Sequence, residues 1–147
     1  MNTKGEMMVK KAEFNIEILK EALVTLKESW ATYNSDIDDA MRKMIADSCV
    51  KRFEYTEETS WKLMKKYLKL EYGREDKELT INNVFRLMEG YGFIESWENW
   101  RKYLDARNDT SHEYNIEKAR NLISLIPDLI IDTEFLIERL EKTIEEL

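Results

Sequence analysis

An all-α, up-and-down bundle of four to five helices is the fold that this sequence predicts. Three observations carry the prediction. The 147 residues include only 4 Gly and 1 Pro, whereas turn-rich β-folds consume both and helix interiors exclude them. Apolar residues recur every three or four positions in four major stripes, and a helix with such a stripe needs another helix to cover it. The single Gly-rich spot, Gly90-Tyr91-Gly92, is no phosphate-binding loop of the α/β type. A chain of this length buries roughly two-thirds of its unfolded surface, so residues 1–147 are expected to fold as one domain without metal or disulfide support.

The first helix is expected over about 6–32, where Ala12, Ile16, Leu19, Leu23, Leu26 and Trp30 are spaced 4, 3, 4, 3, 4. Asn34-Ser35-Asp36 follows with turn and capping chemistry. The second helix, about 38–72, carries Ile45, Cys49, Phe53, Thr56, Ser60, Leu63, Tyr67 and Leu70 in the same rhythm. At about 1.5 Å per residue it spans roughly 50 Å, a length at which a bend or break is expected. Tyr72-Gly73 closes it, because Gly adopts the left-handed conformation of a helix end. Thr80 caps a short helix at 81–89, and another runs from about Ser96 with Trp97, Trp100, Leu104 and Arg107 on one stripe. The polar run Asn108-Asp109-Thr110-Ser111 weakens that helix, which should stop near Tyr114-Asn115. The last segment, about 116–146, repeats Ile123, Ile126, Ile130, Thr133, Ile137, Leu140, Ile144 and Leu147, with a kink expected at Pro127. The long stripes also offer apolar surface for a homodimer interface.

Charge and cysteine usage narrow the function classes. The net charge of −7 disfavours indiscriminate attraction to nucleic-acid backbones. Residues 61–77 nevertheless carry six basic residues against three acidic ones, and 128–147 carry seven acids against Arg139 and Lys142. Both stretches read as solvated helix faces, with a local phosphate contact by the basic one as the alternative. Lone Cys49 cannot form an intrachain disulfide, and the start MNTKGEMMVKK lacks the apolar stretch of a signal peptide. A soluble, cytoplasmic protein with no membrane association is the expectation. One His and one Cys supply no zinc ligand set, so neither metal nor other cofactor is expected.

One site breaks the apolar pattern. Arg107 stands where its stripe would otherwise place Leu or Met, and Asn108, Ser111, His112 and Tyr114 crowd in after it. A guanidinium on a buried seam needs an anionic partner, because an unpaired buried charge is costly. That partner is either a phosphate, matched by the planar bidentate donors, or a neighbouring acid such as Glu98, Asp105 or Glu113. His112 is the only imidazole available for proton transfer, or else a capping or surface residue. Five residues apart on a helix, Arg107 and His112 point about 140° apart. They share a face only if the helix ends or a second subunit contributes.

The segment R-N-D-T-S-H-E-Y, residues 107–114, resembles the R-x-x-x-x-H-x-Y motif of HEPN domains (higher eukaryotes and prokaryotes nucleotide-binding). Phe53 to Lys62 reads F-E-x-T-x-E-x-x-W-K, a pattern particular to the HEPN branch called nucleotidyltransferase substrate-binding proteins, and Trp97 to Asp105 also resembles that branch. The similarity spans roughly residues 12–140. It implies a HEPN-like bundle that dimerises and pairs with a minimal nucleotidyltransferase. Carried over residue by residue, it makes Arg107 and His112 the polar pair of a nucleotide or RNA site, with Asn108 accessory. Tyr114 becomes a modifiable hydroxyl. Some relatives are toxins that cleave RNA without metal and are silenced by adenylylation of that Tyr, with the nucleotidyltransferase as antitoxin.

Two functions therefore compete. In the favoured one the bundle is a binding subunit that presents a nucleotide or other substrate to its nucleotidyltransferase partner, the two forming a toxin–antitoxin-type module. In the other it is a metal-independent endoribonuclease, with His112 as general acid or base and Arg107 stabilising charge on the phosphorane. Acid–base work by two imidazoles would then require His112 from a second subunit, and a third reading is an interaction-only bundle.

Overall fold

The computed structural model describes residues 14–145. Six α-helices hold almost all of them: α1 (Glu17–Tyr33), α2 (Asp39–Tyr72), α3 (Ile81–Gly90), α4 (Trp97–His112), α5 (Ile116–Ser124) and α6 (Ile126–Glu145). A single 3-10 turn, Asp76–Glu78, lies between α2 and α3. The described residues contain no strand, so the all-α bundle expected from composition is the observed fold. The expected start of the first helix, with Ala12, and the last stripe residue, Leu147, lie outside the described residues.

α2 is the axis of the molecule and packs against all five other helices. Its cap is Asp38, whose side chain accepts from the Met41 amide at 2.7 Å, rather than the Asn34-Ser35-Asp36 run. Asn34 and Ser35 instead close α1, donating to the carbonyls of Trp30 at 2.8 Å and Thr32 at 2.6 Å. The expected break in α2 does not occur: 34 residues run unbroken. They contain neither Gly nor Pro, and packing on every side supplies what a free helix of that length lacks. Its two buried Ser and Thr hydroxyls are satisfied locally, Thr56 donating to the Arg52 carbonyl at 2.8 Å and Ser60 to that of Thr56 at 2.7 Å.

Gly73 ends α2 in the left-handed region at φ +63°, and the amides of Gly73 and Arg74 both reach back to the Leu68 carbonyl, the latter at 3.3 Å. A Cβ added at Gly73 would meet nothing within 4 Å. Gly73→Ala is therefore expected to lose about 1 kcal/mol through backbone conformation alone. Urea unfolding tests this, and an unchanged midpoint would refute it.

Thr80, Ser96 and Asn115 cap α3, α4 and α5 through the amides of Asn83, Asn99 and Lys118. The last expected helix is two helices. α5 stops at Ser124, and α6 begins at Ile126 with Pro127 in its first turn. Pro127 has no N–H to offer the Ile123 carbonyl, whereas a missing donor costs nothing at a helix start. The expected kink is thus a break at Leu125.

The core is one cluster running from Phe14 to Leu140. At its centre Phe53 meets Tyr103 edge to face at 6.2 Å, and Tyr103 meets Trp100 at 5.4 Å. The Tyr103 hydroxyl donates to Asp132 of α6, and burial raises the pKa of both groups. Cys49 is fully buried, and burial pushes its thiol up to about 11, which makes it a packing residue of low reactivity.

The basic stretch 61–77 spends its charge locally. Lys62 pairs with Glu58, Lys65 and Lys69 with Asp76, Arg74 with Glu78, and Lys77 with Glu75. Five of its six cations are thus ion-paired on a solvated face, Lys66 being the exception among the described residues. No helix among the described residues is long and apolar enough to cross a membrane.

Candidate functional site

The polar segment expected from the sequence lies at the end of α4 and in the short link to α5. Thr110 is the last buried residue of α4, and His112 is its last residue. Glu113 then turns extended, with φ −148° and ψ 115°. α4 thus ends two residues before Tyr114, and Asn115 starts the next helix as its cap.

The facing surface of α2 holds this segment in place through carboxylates. Asp47, Glu54 and Glu58 are spaced 7 and 4, which puts them on one stripe of α2. Asp47 accepts from the Tyr114 hydroxyl. Glu54 accepts from the hydroxyls of Thr110 at 2.9 Å and Ser111 at 3.0 Å. Glu58 pairs with Arg107 at 3.3 Å. Each contact joins a residue of the 107–114 segment to a fixed point on the most packed helix of the fold.

Glu57 adds a fourth and different contact. It is completely buried, and one of its oxygens lies 3.5 Å from the Arg107 Nε. Neither oxygen receives a hydrogen bond. Burial in a low-dielectric site pushes its carboxyl up to about 7; Arg107 opposes the shift and Glu58 adds to it. Arg107, 21% exposed at its side chain, therefore faces two carboxylates rather than an open anion site. The partners left open from the sequence, Glu98, Asp105 and Glu113, are not the ones used. Asp105 pairs with Arg101, and Glu113 with Lys118.

The remaining residues of the segment face solvent. Asn108 and His112 are exposed and share a shallow surface depression with Asp109 and Ser111. Among the described residues His112 has no hydrogen-bond or ion-pair partner, so it is free to meet a ligand. The structure brings Asn108 and His112 together and directs Arg107 toward α2. It does not bring Arg107 and His112 of one chain into contact. Tyr114 is 52% exposed. Its hydrogen bond to Asp47, aided by partial burial, pushes the phenol up to about 12. That hydroxyl is protonated at neutral pH and has a carboxylate ready to take its proton.

Sequence reading takes in Glu54 and Glu58 within the F-E-x-T-x-E pattern but does not foresee that α2 carboxylates hold the 107–114 segment. Three were legible as helical spacing. Glu57 had a further signal, because it interrupts the run Val50, Phe53, Ser60, Met64 and Tyr67, all buried. Two charged residues that each break an apolar stripe are candidates to meet. Among the described residues no three His, Cys, Asp or Glu side chains gather as a metal site.

Comparison with known proteins bears on the family and the fold. A probable ribonuclease HepT of Haemophilus influenzae is 29% identical over 138 residues, covering 88% of this chain and 94% of that one. A solved Haemophilus influenzae structure, described as the fold of a substrate binding domain of a nucleotidyltransferase, superposes with a TM-score of 0.79. It is 26% identical and covers 86% of this chain and 99% of its own. A Thermus thermophilus structure is 30% identical, with a TM-score of 0.69 and coverage of 83% and 98%. Residues 14–142 match the family described as nucleotidyltransferase substrate binding protein like. Its span takes in both the α2 carboxylates and the 107–114 segment, and the chain belongs to that family.

Proposed function

We propose that this protein is the substrate-binding subunit of a minimal nucleotidyltransferase, the pair forming a toxin–antitoxin-type module in the cytoplasm. In this reading a homodimer presents the Asn108–His112 end of α4 to a nucleotide, with Arg107 held behind it by Glu57 and Glu58. The transfer chemistry belongs to the partner. The observation that carries the reading is the placement of the two motif residues. Arg107 is held by Glu57 and Glu58 while His112 is open to solvent, so a single chain offers a binding edge rather than an assembled acid–base pair.

The metal-independent ribonuclease is the second reading, favoured by the name of the Haemophilus influenzae relative and by the free imidazole. There Tyr114, with Asp47 as proton acceptor, is the hydroxyl whose adenylylation would silence the enzyme. Incubation of purified wild type and His112→Ala with a mixed RNA ladder in EDTA separates the two. The binding reading expects both proteins to leave the ladder intact and both to co-purify with a small nucleotidyltransferase. Cleavage by wild type that disappears in His112→Ala would overturn it in favour of the ribonuclease.

A further inference from the structure

A second cavity, of about 490 Å³, opens between the first turns of α2, the end of α1 and α5. Its volume falls in the range of small-molecule sites, roughly 300–1,000 Å³. None of Arg107, Asn108 or His112 lines it, and it meets the site described above only at Tyr114 and Asp47. Ala46, Ala119 and Ile123 are among the apolar residues that line it, and Tyr33 and Tyr114 supply aromatic surface.

Both aromatic side chains are held before any ligand arrives. Arg42 donates to the carbonyls of Tyr33, of Ile37 at 3.1 Å and of Ser35 at 3.4 Å. Its guanidinium also lies 5.8 Å from the centre of the Tyr33 ring. Asp47 holds the Tyr114 hydroxyl. Surfaces fixed in this way lose little freedom on binding.

The charges at the cavity divide into used and unused. Arg42 and Asp47 are committed to these contacts. Lys43 and Arg120 also line the cavity, and among the described residues neither has an ion-pair or hydrogen-bond partner. Asp39 is the one further acid, so the lining carries three cations against two carboxylates. Two free cations suit an anion, Arg120 as a planar fork and Lys43 as a point charge. Aromatic and aliphatic surface suits a flat ring system, since bases stack on aromatic side chains with little regard to their identity.

We propose that this cavity is a second ligand site, which takes a nucleoside monophosphate with its base against Tyr33 and Tyr114 and its phosphate between Lys43 and Arg120. An aliphatic anion would leave the aromatic surface unused, and an uncharged nucleoside would leave the cations unused. The site goes beyond the proposed role of the Arg107–His112 end, because it neither uses those residues nor depends on a partner subunit.

Titration of the full chain with AMP, followed through the methyl resonances of Ile116 and Ile123, tests the proposal. Saturable shifts of both methyls are expected, with adenosine and inorganic phosphate each binding more weakly than AMP. Replacing both cations, Lys43→Ala with Arg120→Ala, should weaken AMP binding by about tenfold or more. Ala119→Trp, whose new ring occupies the cavity, should abolish the shifts while circular dichroism shows the helices intact. Methyls that do not respond to millimolar AMP would overturn the proposal. So would equal affinities for AMP and adenosine, or an AMP affinity unchanged in the double variant. Shifts that follow protein concentration rather than AMP would also overturn it, assigning the cavity to a second copy of the chain.

Discussion

Glu57→Gln is expected to stabilise the fold by roughly 3 kcal/mol at pH 8 and by well under half of that at pH 5, at about 1.36 kcal/mol per pKa unit. The carboxyl titrates near its ordinary 4.5 in the unfolded chain and near 7 in the folded one. Between those values the folded state holds a proton that the unfolded state has lost. The slope of stability with pH is therefore negative. The stability tied to the neutral carboxyl is complete below about pH 4.5 and is lost as pH rises through 7. An amide keeps the size of the neutral acid and cannot ionise, so it removes this loss where the loss is largest. Breaking a buried pair usually destabilises, but here the remaining partner, Arg107, keeps Glu58 and some solvent exposure. Chemical unfolding of both proteins at the two pH values is the measurement. An identical difference at pH 5 and pH 8 would sink the argument, because it would mean that ionisation of Glu57 costs the fold nothing.

The same change bears on function. While Glu57 is charged, Arg107 faces two carboxylates; when it is neutral, only the partly exposed Glu58 remains. Anion affinity at the α4 terminus should therefore rise in Glu57→Gln, and more so at pH 8 than at pH 5.

The parts of this arrangement that were legible in the sequence are those written in local spacing. The stripe from Cys49 through Phe53, Thr56, Ser60, Leu63 and Tyr67 is buried as its periodicity requires. The ends at Gly73, Thr80 and Ser96 follow from capping chemistry. Where two local signals compete, tertiary packing decides. The Asn34-Ser35-Asp36 run looks as good a cap as Asp38, and only the register of α2 selects between them. Pro127 disrupts a ladder wherever it stands, but whether the chain bends or restarts depends on what α5 and α6 pack against. The continuity of α2 is likewise a property of its neighbours rather than of its residues. The site divides in the same way. A charged residue on an apolar stripe announces that Arg107 has a partner, yet the partner stands 50 positions earlier in the chain. Spacing along α4 carries no information about it. The cavity beside Tyr114 is formed by three helices and leaves no mark in any one of them.

Phe53→Ala should produce the largest loss of stability among single changes near the site, about 3–5 kcal/mol. Phe53 is fully buried and stands edge to face with Tyr103, which in turn meets Trp100. Truncation removes an aromatic side chain where α2 and α4 meet, and neighbours that large and already packed have little room to close the gap. The measured melting temperature should fall by roughly 10 °C, at about 2–4 °C per kcal/mol for a domain of this size. The position also matters for the site, because the next residue is Glu54, which holds Thr110 and Ser111, and one turn on is Glu57. A cavity beneath that turn lets the carboxylates shift against α4. Phe53→Leu keeps most of the volume, and substitutions that conserve volume cost less, typically under about 1.5 kcal/mol. It should retain ligand binding at the end of α4, whereas Phe53→Ala should weaken binding even well below its melting temperature. If Phe53→Ala melted within a degree or two of wild type, the contact between α2 and α4 would not be what fixes the site. The position of Arg107 and His112 would then have to come from the link to α5 instead.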